Sequence, residues 1–212
     1  MREVSMRKLK FAGVLLSVQP RIRLTRSFDQ RSHEYLGYTL LVDGTIDGQP
    51  RTFTVGVGPG AHVKFQFCVG GSISGEGVRL EVGDENALDV YRVSKVRYVA
   101  LDRAALEPPP WEVIPPPLPV YRQRGHRRLA AQRLELSCRS CIWGAKMPVT
   151  LILDQWRPEN RRLRVETFCY GPKSCRLYGP GPTRKVPGRK GMTWEEEDWV
   201  DEDATAHRGT DE

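Results

Sequence analysis

Cys138-Arg-Ser-Cys141 and Cys169-Tyr-Gly-Pro-Lys-Ser-Cys175 are the side chains whose types and spacing best suit chemistry in this 212-residue chain. Between them lies a segment that reads as one β-hairpin. Val149 to Trp156 forms the outgoing strand, Arg157 to Arg162 the turn, and Leu163 to Phe168 the return. A hairpin that brings two cysteine pairs together can offer four thiolates to one tetrahedral ion. Zn²⁺ favours that donor set, with Zn–S distances of about 2.3 Å. The Gly171-Pro172 turn lets Cys169 and Cys175 face the same point. A site closed by four thiolates keeps no open coordination position, so its expected role is to stabilise the fold.

This arrangement resembles a zinc ribbon. Its second pair is separated by five residues instead of two, which makes a wider second knuckle. The resemblance implies structural zinc held by Cys138, Cys141, Cys169 and Cys175. Two other uses compete with it. A redox C-x-x-C would open a helix after a strand, but Pro148 and a β-branched run follow here. Two disulfides would need an oxidising compartment. Phe11 to Leu16 is short for a signal-peptide core and leads into Pro20, Arg21 and Arg23 without a small-residue cleavage site. A cytoplasmic location is therefore expected. Cys68, between Phe67 and Val69, reads as a small buried hydrophobe.

The second chemically loaded stretch interleaves arginines with aromatics: Arg21, Arg23, Arg26, Phe28, Arg31, His33 and Tyr35. Guanidiniums neutralise phosphates, and aromatic rings stack on bases for about 1–3 kcal/mol each. The alternative is that the rings are core and the arginines only solvated. Because Tyr35 and Tyr38 have opposite parity on one strand, at least one of them belongs to the core. Further basic groups follow in the second half. Arg161 and Arg162 sit at the hairpin tip, and Arg184, Lys185, Arg189 and Lys190 form a Gly/Pro-rich arm.

The formal net charge of +7 conceals a strong division. Tyr121 to Lys190 carries seventeen Arg and Lys against four acids, whereas Gly191 to Glu212 carries nine acids and one Arg. Such sectoring implies a polyanion-binding region followed by an acidic tail. Trp194 and Trp199 within that tail suit a protein partner. The tail is also expected to cover the basic module in the free protein.

These groups need elements to position them. The first hundred residues carry strand-like runs at Phe11–Thr25, Tyr35–Val42, Arg51–Val57, Ser72–Val82 and Val90–Val99. In the first run, Val14, Leu16, Val18, Ile22 and Leu24 share one face. Asp43-Gly44 reads as a turn, and Ala61 to Phe67 as a short helix or connection. Lys64 to Gly75 and Tyr91 to Val99 resemble the lead-in to the fourth strand and the fifth strand of an OB-fold, a small five-stranded barrel. An SH3-like barrel is the structural rival. The OB resemblance implies that the Arg21–Tyr35 loop and the adjoining sheet face touch a nucleic-acid strand.

The expected fold is thus mainly β: an OB-like barrel over residues 8–100, then a proline-rich linker over 101–121. A zinc-ribbon-like module over 122–178 and a disordered charged tail over 179–212 complete it. No apolar stretch approaches the roughly 18 residues of a membrane helix. Dinucleotide, phosphate-loop and nucleophile-elbow patterns are absent from the sequence. The expected function is non-enzymatic binding of single-stranded DNA or RNA. An assembly adaptor within a larger nucleic-acid-processing complex is the alternative.

Overall fold

The structure, a computed structural model, describes residues 8–79, 88–101, 114–154, 156–188, 190 and 192–209. Arg189, residues 80–82 of the expected fourth strand and residues 102–113 of the expected linker lie outside these. The chain falls into two compact units. One comprises Met1–Gln19, Gly37–Pro115 and Ser140–Ile142; the other comprises Pro20–Leu36, Pro116–Arg139 and Trp143–Glu212. Two long strands, β1 (Lys8–Arg26) and β2 (Arg31–Ile46), contribute to both.

The first unit completes a ring of five strands with β3 (Gln49–Val57), β4 (Ser72–Arg79) and β5 (Val90–Val99). Its order is β1-β2-β3-β5-β4, and β4 pairs back to β1. Helix α1 (Pro59–Phe65) lies between β3 and β4 in the chain, opened by Pro59 and closed by Gln66 in the left-handed region. Leu9, Phe11, Leu40, Val42, Phe53, Val55 and Val57 are buried, and Phe11 meets Phe53 edge-on at 6.2 Å.

The hairpin joining β2 to β3 turns at Asp47-Gly48, both with positive φ, as a two-residue turn of matching twist requires. The earlier Asp43-Gly44, expected as the turn, lies inside β2. Gly44 answers a different need there: a Cβ would stand 2.0 Å from the Ala12 carbonyl oxygen. The glycine permits close backbone approach between β1 and β2 instead of chain reversal.

Burial along β1 changes parity. Leu9, Phe11 and Leu15 are buried in its first part; Val18, Ile22, Leu24 and Arg26 are buried thereafter. Val14, expected on the core face, is 43% exposed. The change falls at Ser17-Val18, two consecutive buried residues within the first unit.

The second unit centres on an antiparallel hairpin of β7 (Gly144–Ile152) and β8 (Arg161–Cys169). Leu24–Arg26 of β1 runs parallel to Val149–Leu151 of β7. The short strand β6 (Arg127–Arg128) pairs with Phe168 and Cys169. Helix α2 (Leu118–Arg124) begins within the expected linker, and Tyr121 is fully buried against Trp143 and Tyr170. Its start at Pro117-Leu-Pro119 suits proline, whose missing N–H is not needed in a first turn. Helix α3 (Ala131–Leu136) leads to the first cysteine pair.

The acidic tail, expected to be disordered, forms β10 (Thr193–Glu196) and α4 (Asp198–Thr205). β10 pairs with β9 (Arg184–Pro187), placing Glu196 opposite Arg184. The tail is held by charge: its carboxylates meet guanidiniums buried in the same unit. Among the described residues no helix is long and apolar enough to cross a membrane.

Candidate nucleic-acid interface and cysteine cluster

Alternation along the end of β1 sorts its arginines. Arg21 and Arg23 project from one face and are half-buried, whereas Arg26 shares the parity of Ile22 and Leu24 and is 3% exposed. Arg21 donates to the Leu36 carbonyl at 3.1 Å, and Arg23 lies 3.8 Å from Glu34. Arg26 makes a two-pronged ion pair with Glu196, whose side chain is 4% exposed. Its guanidinium faces a carboxylate of its own chain instead of solvent.

The remaining residues of the Arg/aromatic stretch divide similarly. Phe28, His33 and Tyr35 are half-buried. Arg122 lies over the Tyr35 ring at 4.9 Å, a guanidinium–aromatic layer with one member outside the expected set. Arg31 stands 3.7 Å from Glu196 and donates to Nε2 of His126, which places the His126 proton on Nδ1. The His33 and His126 rings meet edge-on at 5.0 Å, and His126 also packs against Phe168 at 4.4 Å. Burial, then the cations Arg31 and Arg26, brings His33 down to about 4. Complete burial, reinforced by Arg31, holds His126 well below the ordinary imidazole range.

In the second basic group, Arg161, Arg162, Lys185 and Lys190 are exposed. Arg184 is buried, donating to Glu166 at 2.7 Å and to the Thr167 carbonyl at 2.8 Å, with its guanidinium 4.2 Å over the Phe168 ring. Arg164 contacts the other oxygen of Glu166. Arg26 and Arg184, adjacent in charge to the acids they meet only after folding, thus serve the interior. Sequence reading passed over Trp156, which is 84% exposed on the β7–β8 loop. A tryptophan inside a polar, arginine-rich turn was the signal available.

All five cysteines are free of disulfides. Cys138 and Cys169 are buried, and Cys141 and Cys175 half-buried. Burial, then the neighbouring thiols of Cys169 and Cys175, pushes Cys138 up to about 11. Burial also raises Cys169, opposed by the Gly171 N–H, which donates to its sulfur at 3.3 Å. A Cβ on Gly171 would stand 3.3 Å from that sulfur and 3.4 Å from Trp143, a tight fit at the knuckle. Among the described residues no three His, Cys, Asp or Glu side chains are grouped closely enough to hold a metal ion. The chemistry of the set still suits one. Buried thiols that raise one another lose that cost when a cation joins them, and an N–H···S bond favours the thiolate.

No protein-family model, curated protein or solved structure matches this chain. The functional reading therefore rests on the residues themselves.

Proposed function

We propose that this protein binds single-stranded nucleic acid without catalysing a reaction. The observation that carries the reading is the surface of Arg21, Arg23, Tyr35 and Arg122 in the second unit. Arg21 and Arg23 stand two residues apart on one strand face, a repeat of roughly 6.6 Å, comparable to the step between phosphates of an extended strand. Tyr35 beside them offers a ring for a base, and Arg122 already uses that ring as a stacking partner.

The ring order β1-β2-β3-β5-β4, with α1 between β3 and β4, supports an OB-like assignment of the first unit. Residues 122–178 would then form the zinc-stabilised module. Cys138, Cys141, Cys169 and Cys175 would hold the ion, which would replace the missing bulk of a small core with a cross-link. Binding assays on single-stranded RNA, single-stranded DNA and duplex DNA across a salt series test the reading. Tight binding to one single strand at physiological salt supports it. Equal binding to all three at low salt, gone at physiological salt, overturns it.

A second reading, as an assembly adaptor, is favoured by one observation. Trp194 and Trp199 remain 43% and 58% exposed although the tail that carries them is folded. Two exposed indoles on ordered β10 and α4 suit a protein partner.

A further inference from the structure

The β7–β8 loop is built more firmly than its exposure suggests. Asp154 accepts the Trp156 N–H on its side chain at 2.9 Å, and its carbonyl accepts the Arg157 N–H at 3.1 Å. The Asn160 N–H bonds the Arg157 carbonyl at 2.8 Å, and the Leu153 N–H bonds the Asn160 carbonyl at 2.9 Å. These bonds close the turn without using any side-chain atom of Trp156. The indole, 84% exposed, has no part in folding this segment, yet it is the largest apolar side chain the chain could place there. Along β8, Leu163 at 44% and Val165 at 51% share one exposed face.

Charge indicates what covers this surface. Arg157, Arg161 and Arg162 flank the indole and are exposed. Asp154, which accepts the Trp156 N–H, and Glu159 are the two local acids against these three arginines. An exposed indole on a turn that also carries exposed guanidiniums matches a base and its phosphates. We infer that the β7–β8 loop is a base-stacking finger: Trp156 stacks on an unpaired base, while Arg157, Arg161 and Arg162 hold the flanking phosphates. The inference rests on the single-strand reading above and adds a contact that reads bases instead of charge alone.

The test compares two probes, a base-bearing single-stranded DNA oligonucleotide and an abasic strand of equal length that keeps every phosphate. Full-length wild type should prefer the base-bearing strand about tenfold, within the range that base–aromatic stacking supplies. Trp156→Ala should remove the greater part of that preference, leaving what Tyr35 supplies, with the salt dependence unchanged, and Trp156→Phe should retain most of it. Arg161→Ala with Arg162→Ala should weaken both probes alike. If Trp156→Ala keeps the full preference, the finger is excluded while the single-strand reading stands. If wild type binds neither probe, that reading itself fails. Should Trp156→Ala bind both probes normally but lose an anionic vesicle or a co-purifying protein, the loop serves that surface and the inference is overturned.

Discussion

Arg128 and Asp201 are joined twice: the Arg128 guanidinium Nε donates to one Asp201 oxygen at 2.9 Å, and the Arg128 backbone N–H donates to the other at 3.0 Å. Arg128, 1% exposed, also donates to Asp198 and to the carbonyls of Pro182 and Glu196. Asp198 and Asp201 lie three apart on α4, so one helix face meets one cation. The acidic tail is therefore the counter-charge of a buried arginine. Beside it, Glu196 answers Arg26 and stands opposite Arg184 on the neighbouring strand.

Asp201→Asn should be destabilising, though by less than the about 3–5 kcal/mol of an unpaired buried charge, because Asp198 still faces Arg128. Replacing both members by apolar residues, as in Arg128→Met with Asp201→Leu, should cost less than the single change. Urea unfolding of the variants measures both. Deleting the tail from residue 189 onward should speed amide exchange around Arg26 and Arg128, which lose their carboxylates, and along β9, which loses its partner strand. Unchanged exchange at these positions would mean that the tail only rests on the unit.

Arginines of β1 should separate by face. Arg21→Ala with Arg23→Ala should weaken single-strand binding and lower the salt slope by about 1.4, near 0.7 per phosphate released. Thermal stability should barely move, since both are half-exposed. Arg26→Ala should instead destabilise the fold, because Glu196 loses its two-pronged partner and keeps only Arg31 at 3.7 Å. Filter binding over a salt series, with melting curves for the same variants, distinguishes the two outcomes.

Protein purified without chelator should carry one zinc per chain by elemental analysis. Stripping it should lower the melting temperature, and Cys138→Ser or Cys169→Ser should abolish stoichiometric zinc. The raised thiols also set the direction with pH: protons compete for the sulfurs, so zinc should be released on acidification. Metal-free protein with an unaltered melting curve in chelator would remove zinc from the account.

Acid should weaken the second unit before most of its carboxylates titrate. His33 binds its proton at about 4 in the folded protein against 6.5 unfolded, and His126 is shifted in the same direction. Between those values the unfolded chain holds more protons, so stability is full above pH 6.5 and is lost as pH falls toward 4. Each such proton contributes a slope of up to about 1.4 kcal/mol per pH unit. Glu196, held below the usual carboxylate range against the cost of burial chiefly by Arg26, continues the loss at lower pH. Melting temperatures between pH 7.5 and 4.5 should show the slope, and His33→Gln should flatten part of it.

Local patterning made much of the first unit legible. Period-2 runs bounded by glycine and proline located β3 and β5 within a few residues, and the short helix or connection expected at Ala61–Phe67 is α1, which starts two residues earlier at Pro59. The β7–β8 hairpin between the cysteine pairs was likewise readable, because its strands and turn are all local. Two Asp-Gly steps of equal local merit were not separable. The close approach at Ala12 decides that Gly44 belongs in a strand and Gly48 in the turn.

The sequence by itself determined the elements whose signals span a few residues: the alternating runs of the strands, the hairpin between the cysteine pairs and the spacing of the cysteines. Tertiary structure alone decided which charges face water. Glu196 meets Arg26 across 170 residues, and Asp201 meets Arg128 across 73. A run of acids read locally is a solvated tail, since burying a charge is costly unless a partner arrives with it. Here the partners arrive from distant strands, and folding converts that run into β10 and α4. The same physics leaves Trp156 exposed, on a turn closed entirely by its neighbours' hydrogen bonds.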